Sequence, residues 1–552
     1  MIRFQRLVQT FCLILFLTLL AIASFSGLSM SSLDFFLRMD PALVSITAIS
    51  ARIILFSFIP AAVVLLSIPF IGRVFCGYIC PMGTTLDVTD ALFGFKNNTY
   101  LFSKNQFKIK NLVKIKYLIL AFLLGSALFG VSYVFFASPL SLITRFYGLI
   151  LFPVISFLSR EILDIVRPLG DMLDINFINY AQIRTIRFST QFFILFFFMI
   201  VFGMVIFSPR FWCRYLCPSG ALLAFFSKAP MIRRQVSDKC TQCGKCQKKC
   251  PMSAIEFENP ENTFYSECIV CRRCEEICPE KAVSFSLSKD SKTTALKTFS
   301  PKRRQLVSFG LMGAGTAVLS LTGLYSLYGK PGEGQVGAKD LVRPPGAVME
   351  TDFLSRCVRC GECMTACPTN TLQPIWLAAG FPALFSPALT PRRGFCDPQC
   401  HECGKVCPTN AIRSIENKDR IWAKTGTAQI IRQKCLAWEF NKSCMVCDEV
   451  CPYDAIDFLK EKSNKVPVPH VIENKCAGCG YCEHFCPVQN QAAIVVSPMD
   501  ALRINHGRYE IQARNKGFML QFKPSGQREI SMESSPGMQH GSAPGFDEEN
   551  NQ

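Results

Sequence analysis

Twenty-nine cysteines stand in a chain of 552 residues, and 24 of them fall into six groups of four. CTQCGKCQKKCP (240–251) and CIVCRRCEEICP (268–279) share the spacing C-x2-C-x2-C-x3-C-P, and CVRCGECMTACP (357–368) and CAGCGYCEHFCP (476–487) repeat it. CDPQCHECGKVCP (396–408) widens the first gap by one residue, and CLAWEFNKSCMVCDEVCP (435–452) widens it to eight intervening residues. A tight loop presenting three thiolates, with a fourth just before a proline, suits a 4Fe–4S cubane. Zinc also uses C-x2-C pairs, but takes two pairs per ion across a longer gap. Disulfide frameworks need no such period. Six 4Fe–4S clusters are therefore expected.

In two-cluster ferredoxins the first three cysteines of one motif join the fourth of the other. That crossover assigns Cys240, Cys243, Cys246 and Cys278 to one cluster, and Cys268, Cys271, Cys274 and Cys250 to a second. The later motifs supply Cys357, Cys360, Cys363, Cys367, Cys396, Cys400, Cys403 and Cys407, then Cys435, Cys444, Cys447, Cys451, Cys476, Cys479, Cys482 and Cys486. Adjacent pairing and a nested, outer-with-outer pairing both fit these sixteen. His401 and His484 lie inside motifs that already hold four cysteines, so they are read as neighbours of clusters rather than ligands.

Two shorter motifs, FCGYICPMG (75–83) and WCRYLCPSG (212–220), each follow an apolar segment as C-x3-C-P-x-G. Their equivalent settings suggest an internal repeat. If the loops meet, Cys76, Cys80, Cys213 and Cys217 would make one further iron–sulfur or other metal site. Structural packing or a redox-active thiol pair is the alternative. Cys12 is read as a small packing residue.

The elements that must position these groups divide the chain. Residues 1–230 carry four apolar segments near spanning length, 7–28, 53–71, 117–137 and 188–208, and are read as a membrane domain. The first lacks a clear cleavage site and is read as an uncleaved helix. Arg73, Lys96, Lys104, Lys108, Lys110, Lys114 and Lys116 fall between the second and third segments, and Arg210, Arg214, Lys228, Arg233, Arg234 and Lys239 follow the fourth. By the positive-inside rule these stretches and the N-terminus are cytoplasmic. FYGLILFPVISFL (146–158) is too short to span and reads as re-entrant or interfacial, with a surface helix over 161–175. Arg145, Glu161, Asp164 and Arg167 beside that apolar floor could form a quinone pocket, or be solvated charges of an outer cap.

A two-cluster module follows at 236–290, then a fifth candidate span at 302–328 whose PKRRQLVSF resembles a twin-arginine signal through Arg303 and Arg304. A Gly/Pro-rich linker covers 329–348, a four-cluster module 349–500, and a tail over 524–552 reads as disordered. The expected fold class is an α-helical membrane domain plus two α+β ferredoxin-like iron–sulfur modules, the first cytoplasmic and the second periplasmic. Such a chain is multi-pass in a bacterial inner membrane.

The net charge of +18 flanks apolar segments, and no aromatic–basic stripe points to nucleic acid. Five histidines, none in an apolar run, exclude a bis-histidine haem within a bilayer. No dinucleotide fingerprint, P-loop, nucleophile elbow or HExxH offers an independent substrate site.

The front half resembles the NapH-type membrane ferredoxins, with four spans, two CxxxCP loops and two terminal clusters. The back half resembles the NapG/MauM-type ferredoxins through RPPGAV, CVRCGECMTACPTNTLQP, CDPQCHECGKVCPTNAI, CLAWEFNKSCMVCDEVCP and CAGCGYCEHFCP. The resemblance covers about residues 1–500 as a fusion. It implies electron transfer from the quinol pool to a periplasmic redox enzyme or cytochrome, as a quinol dehydrogenase component, or support of a dehydrogenase system. The alternative is an assembly or maturation factor supplying reducing equivalents to metal or thiol centres of another enzyme.

Overall fold

A computed structural model describes residues 2–23, 35–53, 56–93, 106–172, 176, 185–256, 259–287, 302–321, 341–376 and 379–523. Most of the 329–348 linker and all of the 524–552 tail lie outside the described residues.

The helical part is built twice from one plan. A long helix α1 (Ile2–Ala23) leads to a short capped helix α2 (Pro41–Ala51), an apolar helix α3 (Ile59–Ile71), a π-helical turn (Phe75–Ile79) and helix α4 (Pro81–Phe93). The second copy runs through α5 (Gln106–Leu128), capped α6 (Pro139–Phe146), inserted α7 (Phe152–Met172), apolar α8 (Gln191–Gly203), a π-helical turn (Trp212–Leu216) and α9 (Pro218–Phe226).

The correspondence is local and chemical. Asp40 caps α2 by accepting from the Ala42 and Leu43 amides at 3.0 and 3.3 Å, and Ser138 caps α6 by accepting from Ser141 N at 3.3 Å. A proline opens each helix, where a missing N–H costs nothing. The two caps then meet, Ser138 Oγ donating to Asp40 Oδ2 at 2.7 Å.

These helices connect two cluster modules at opposite ends. Lys116 and Tyr117, midway along α5, hold Glu267 of the first module, while Ser132, just beyond the C-terminal end of α5, accepts from Arg359 of the second. Before α8, the Arg187 carbonyl accepts from Asn370 and Gln373; after it, Arg210 binds Asp87, which also takes Arg273 of the first module. The chain must therefore pass from one end to the other between residues 287 and 341. The described helix in that stretch is α10 (Arg303–Leu321), packed along α5. Its 19 residues are about 28 Å long at 1.5 Å per residue. A side chain on Gly125 would drive into the Gly310 carbonyl, and one on Gly313 into that of Phe122. The two backbones meet with no side chain between them.

The first module is closed by an antiparallel pair, β1 (Ile232–Val236) with β2 (Val283–Leu287). The second has two halves. One holds the pair β3 (Leu372–Pro374) and β4 (Pro387–Leu389), with an Ala347–Ile412 bridge. The other is bracketed by β5 (Thr427–Ile430) with β8 (Ile494–Ser497), enclosing β6 (Ile456–Leu459) and β7 (Val468–Val471).

Three expectations change. The pieces expected at 146–158 and 161–175 are not separate over the described residues. Instead α6, a π-helical turn (Tyr147–Leu151) and α7, which ends at Met172, run on continuously, the π-helical turn shifting the hydrogen-bond register just ahead of Pro153. Only residues 4–23 among the described helices are both long and apolar enough to cross a membrane; Phe56–Ile71 and Gln191–Ile206 are shorter. Several basic residues counted as loop charges, namely Arg73, Lys116, Arg210, Arg214 and Arg234, are buried. They hold structure together rather than face solvent.

Replacing Gly125 by Val should separate α5 from α10. Thermal unfolding in detergent is expected to show a loss of about 1–3 kcal/mol, the usual cost of overpacking. Gly315→Ala, on the same α10 but where an added side chain meets nothing, should cause no loss. An unchanged midpoint in the Gly125 variant would contradict the backbone contact.

Candidate iron–sulfur sites

The two C-x3-C-P loops meet. Each π-helical turn ends at an extended cysteine, Cys80 N bonding Phe75 O at 3.0 Å and Cys217 N bonding Trp212 O at 2.9 Å. Pro81 and Pro218 then start new helices. Cys76, Cys80, Cys213 and Cys217 stand close enough to interact electrostatically across the two copies. Burial pushes the Cys213 thiol up to about 11.

Two arginines bracket this group, each three residues before the first cysteine of its motif. Arg73 and Arg210 are both 1% exposed. Each guanidinium packs on the other copy's loop: a Cβ on Gly220 would lie 3.0 Å from Arg73 Nη2, and one on Gly83 would lie 3.6 Å from Arg210 Nη1. The carbonyl of each motif's first cysteine is closer still or nearly so, Cys76 O at 3.0 Å from a Cβ on Gly83 and Cys213 O at 3.3 Å from one on Gly220. This crowding is why both motifs end in glycine. The sequence carries the signal as R-x2-C-x3-C-P-x-G, but counting Arg73 and Arg210 as loop charges separates them from the cysteines they serve.

The first module docks onto these loops through its second motif. Glu267, directly before Cys268, accepts from Lys116, from Arg73 at 3.4 Å and from Tyr117 Oη at 3.2 Å. Asp87 accepts from Arg210 at 2.7 and 2.8 Å and from Arg273 at 3.0 Å. Burial alone would raise the Asp87 carboxyl, but Arg210 and Arg273 hold it down at about 2.

Within the module, Cys250, Cys268, Cys271 and Cys274 line one small cavity, the grouping the crossover predicts. Of the other four, Cys243 is exposed, Cys240 and Cys278 are half-buried, and Cys246 is buried with Cys240 beside it. Cys246 and Cys278 share a small core cluster with Cys250 and Cys274 of the inner group.

The second module chooses adjacent pairing. Cys407 sits with Cys357, Cys360 and Cys363, while Cys367 sits with Cys396, Cys400 and Cys403. Cys451 lines a cavity with Cys476, Cys479 and Cys482, and Cys486 lines one with Cys435, Cys444 and Cys447. Nested pairing is not formed.

The groups also have an order. The Cys357 group touches the helices, with Ser141 Oγ donating to Val358 O at 2.6 Å and Arg145 Nε to Arg359 O at 2.9 Å. The Cys396 group comes next, and Cys396 N donates to Cys479 O at 2.8 Å, joining it to the Cys476 group. The Cys435 group stands beyond. His401 is partly exposed, and the His484 ring packs on Phe395 and Phe485.

Among the described residues no three His, Cys, Asp or Glu side chains converge on a single-ion point. In three of the groups the four thiols instead line a small cavity, and a cubane takes its four thiolates at four separate corners. Buried guanidiniums accompany them: Arg234 Nη2 lies 3.7 Å from Cys246 Sγ, and Arg420 Nη2 lies 3.1 Å from Cys396 Sγ. Positive charge and N–H groups beside the sulfurs suit a net-negative thiolate cluster and tune its potential. Burial pushes the thiols of Cys268 to about 12 and Cys407 to about 11. Filling these sites therefore requires iron to displace protons.

The outer quinone pocket suggested by Arg145, Glu161, Asp164 and Arg167 is not assembled. Arg145 is buried and bonded to the second module, whereas Arg167 and Asp164 pair with each other on the exposed face of α7. Arg145 and Asp164 lie in successive stretches of one helical run, about 28 Å apart along its axis at 1.5 Å per residue, which explains the separation.

The methylamine utilization ferredoxin-type protein MauM of Methylorubrum extorquens is 36% identical over 211 residues, which are 37% of this chain and 92% of that relative. The chain belongs to the NapG/MauM family of ferredoxin-type proteins. The ferredoxin-type protein NapG of Escherichia coli is 37% identical over 181 residues, 30% of this chain and 75% of its own length. MauM of Paracoccus denitrificans is 38% identical over 170 residues, 29% of this chain and 72% of its own length. Families described as 4Fe-4S dicluster domains match residues 232–279 and 442–490, and a 4Fe-4S binding domain matches 353–373. Another 4Fe-4S binding domain matches twice, at 53–99 and 190–237, once around each C-x3-C-P loop. This NapG/MauM-type chain is thus an iron–sulfur electron-transfer protein.

Adjacent pairing in this NapG/MauM-type chain has a direct signature. Cys407→Ser and Cys360→Ser should remove the same EPR signal and about four iron atoms each, since each breaks one cubane. Cys407→Ser and Cys403→Ser should differ, although both lie in one motif.

Proposed function

We propose that the chain is a membrane-spanning conduit that takes electrons from the quinol pool and delivers them to a redox partner across a bacterial inner membrane. One observation carries the reading: the same helices are gripped by one cluster module at one end and by the other module at the opposite end. Their outer surfaces support it. Phe56 is 91% exposed, Phe192 is 85% exposed, and Leu7, Phe11, Leu66, Phe196 and Leu311 also face outward. Large exposed apolar side chains on several neighbouring helices suit lipid better than water.

On this reading the front half is NapH-like, and the 24 cysteines of the six motifs hold six 4Fe–4S clusters. Cys76, Cys80, Cys213 and Cys217 hold one further centre shared by the two copies, with Arg73 and Arg210 as its counter-charges. When bound, such clusters accept and pass single electrons. Each quinol oxidised gives two electrons to the chain and two protons to water. The protein's part is to fix the order of the sites, to exclude water from the inner ones, and to hold the two modules apart. Exposed Lys228, Lys239, Lys245, Lys248 and Lys249 around the first module favour a cytoplasmic position for it. The second module is then periplasmic, facing a reductase or cytochrome.

The maturation-factor alternative, with the C-x3-C-P thiols as working groups, is disfavoured by burial. Cys80 is 6% exposed and Cys217 is 4% exposed, which leaves only the half-buried Cys76 and Cys213, one from each loop. Exchange through either loop's own thiol pair needs both thiols accessible.

A reduced quinol analogue added to membranes should generate the EPR signals of reduced clusters. Reduction only by a soluble cytoplasmic donor would replace quinol oxidation with transfer from the cytoplasm. Iron per polypeptide should fall in the quadruple Cys76/Cys80/Cys213/Cys217→Ser variant, and no fall would remove the shared centre. Because charge is unchanged, Arg303→Lys with Arg304→Lys should strand the second module inside only if those arginines are read as an export signal; normal protease access from outside would show plain anchoring.

A further inference from the structure

A cleft of about 500 Å³ opens between α1, the first C-x3-C-P loop and the β1–β2 pair. That volume falls in the range of small-molecule sites. It lies on the opposite side of the helical body from the Arg145 region considered from the sequence. We propose that it binds the head of an isoprenoid quinone; the proposal rests on the quinol-donor reading above and gives that reading a place.

Four observations converge. The walls are apolar, with Phe4 and Val8 on one side and Phe285 and Leu287 on the other. The back wall is Val270, which sits between Cys268 and Cys271, so an aromatic ring in the cleft is separated from that cysteine group by one residue of backbone. Polar groups are few: Tyr78, Ser286 and Arg272. Tyr78 Oη donates to Val270 O at 3.2 Å and keeps its oxygen lone pairs as acceptors for a quinol hydroxyl. The Arg272 guanidinium lies over the Phe285 ring, pairs with Glu275 at 3.3 Å and carries further N–H donors suited to a quinone carbonyl. Finally, the exposed stripe Phe4, Leu7, Phe11 and Ile14 leads out of the cleft along one face of α1, at spacings of three and four residues. A long apolar tail would follow that stripe into the surrounding lipid.

A water-soluble donor does not need such a stripe, and a lipid acyl chain does not need the Tyr78–Val270 pair. The ring-plus-tail chemistry of an isoprenoid quinone uses both.

The test uses the full chain in its native membranes. A photoactivatable azidoquinone should label peptides containing Phe4–Val8 or Val74–Ile79, and excess decylubiquinol should displace it. Val8→Trp, which fills the cleft, should weaken labelling and slow quinol-driven cluster reduction by about tenfold or more, equivalent to about 1.4 kcal/mol or more. Dithionite-reduced EPR spectra and iron content should be unchanged. Tyr78→Phe, which keeps the ring, should show a smaller loss in both readouts and serves if Val8→Trp fails to retain iron. Wild-type labelling and reduction in both variants would overturn the cleft while leaving quinol oxidation standing. Labelling that decylubiquinol does not displace would also overturn it, as non-specific apolar binding. If wild-type clusters are not reduced by quinol at all, the donor reading falls and the cleft with it.

Discussion

Glu267 and Asp87 are the two carboxylates on which the arrangement rests. Each sits in the seam between the first cluster module and the helices, and each is held by basic side chains from more than one segment. Removing such charges from water is costly, and their mutual attraction offsets the cost only when every donor is placed. Deleting one partner of a buried pair typically costs about 3–5 kcal/mol, because the other charge is left behind. The seam therefore fixes the Cys268 motif against the C-x3-C-P loops more firmly than apolar packing alone. The four-cysteine group, the cleft and the order of the inner sites all inherit their geometry from it.

Behind the seam, the helical body solves a symmetry problem. Neither copy of the repeat carries enough cysteines for a four-thiolate site, and neither capped helix has its full polar environment alone. Asp40 takes two hydrogen bonds from its own helix and two from the other copy, through Ser138 and Ser219. Arg73 and Arg210 cross in the same manner over the opposing glycines. Pairing of the two copies is thus enforced by polar groups as well as by the apolar interior.

Much of the chemistry could be read from spacing. A cubane ligand loop is local, so C-x2-C-x2-C-x3-C-P identifies the clusters without a fold, and the repeat of C-x3-C-P points to a shared site. What stays illegible is long-range. Ligand exchange in the second module depends on which motifs pack together, which the Ala347–Ile412 bridge and the β5–β8 pair decide. Arg73 and Lys116 look like loop charges because their partner, Glu267, lies more than 150 residues away. Arg145 draws attention to the wrong face for the same reason: its partners include backbone of a distant module. The continuous helix through Pro153 escapes a sequence reading because a proline in an apolar run looks like a break, whereas the π-helical turn at Tyr147–Leu151 directly before it shifts the hydrogen-bond register and lets the helix run on.

The hydrogen bond from Cys396 N to Cys479 O, with Phe395 stacked among Tyr481, His484 and Phe485, carries a lesson about modularity. By motif count the back half looks like two ordinary ferredoxins in tandem, which a duplication could add or a deletion remove. Its inner seam contradicts that view. The backbone of one ligand loop completes the backbone of another, so either half alone would present a bare amide or carbonyl and an uncovered aromatic face. The four cysteine groups are thereby tied into one folding unit rather than two separable ones.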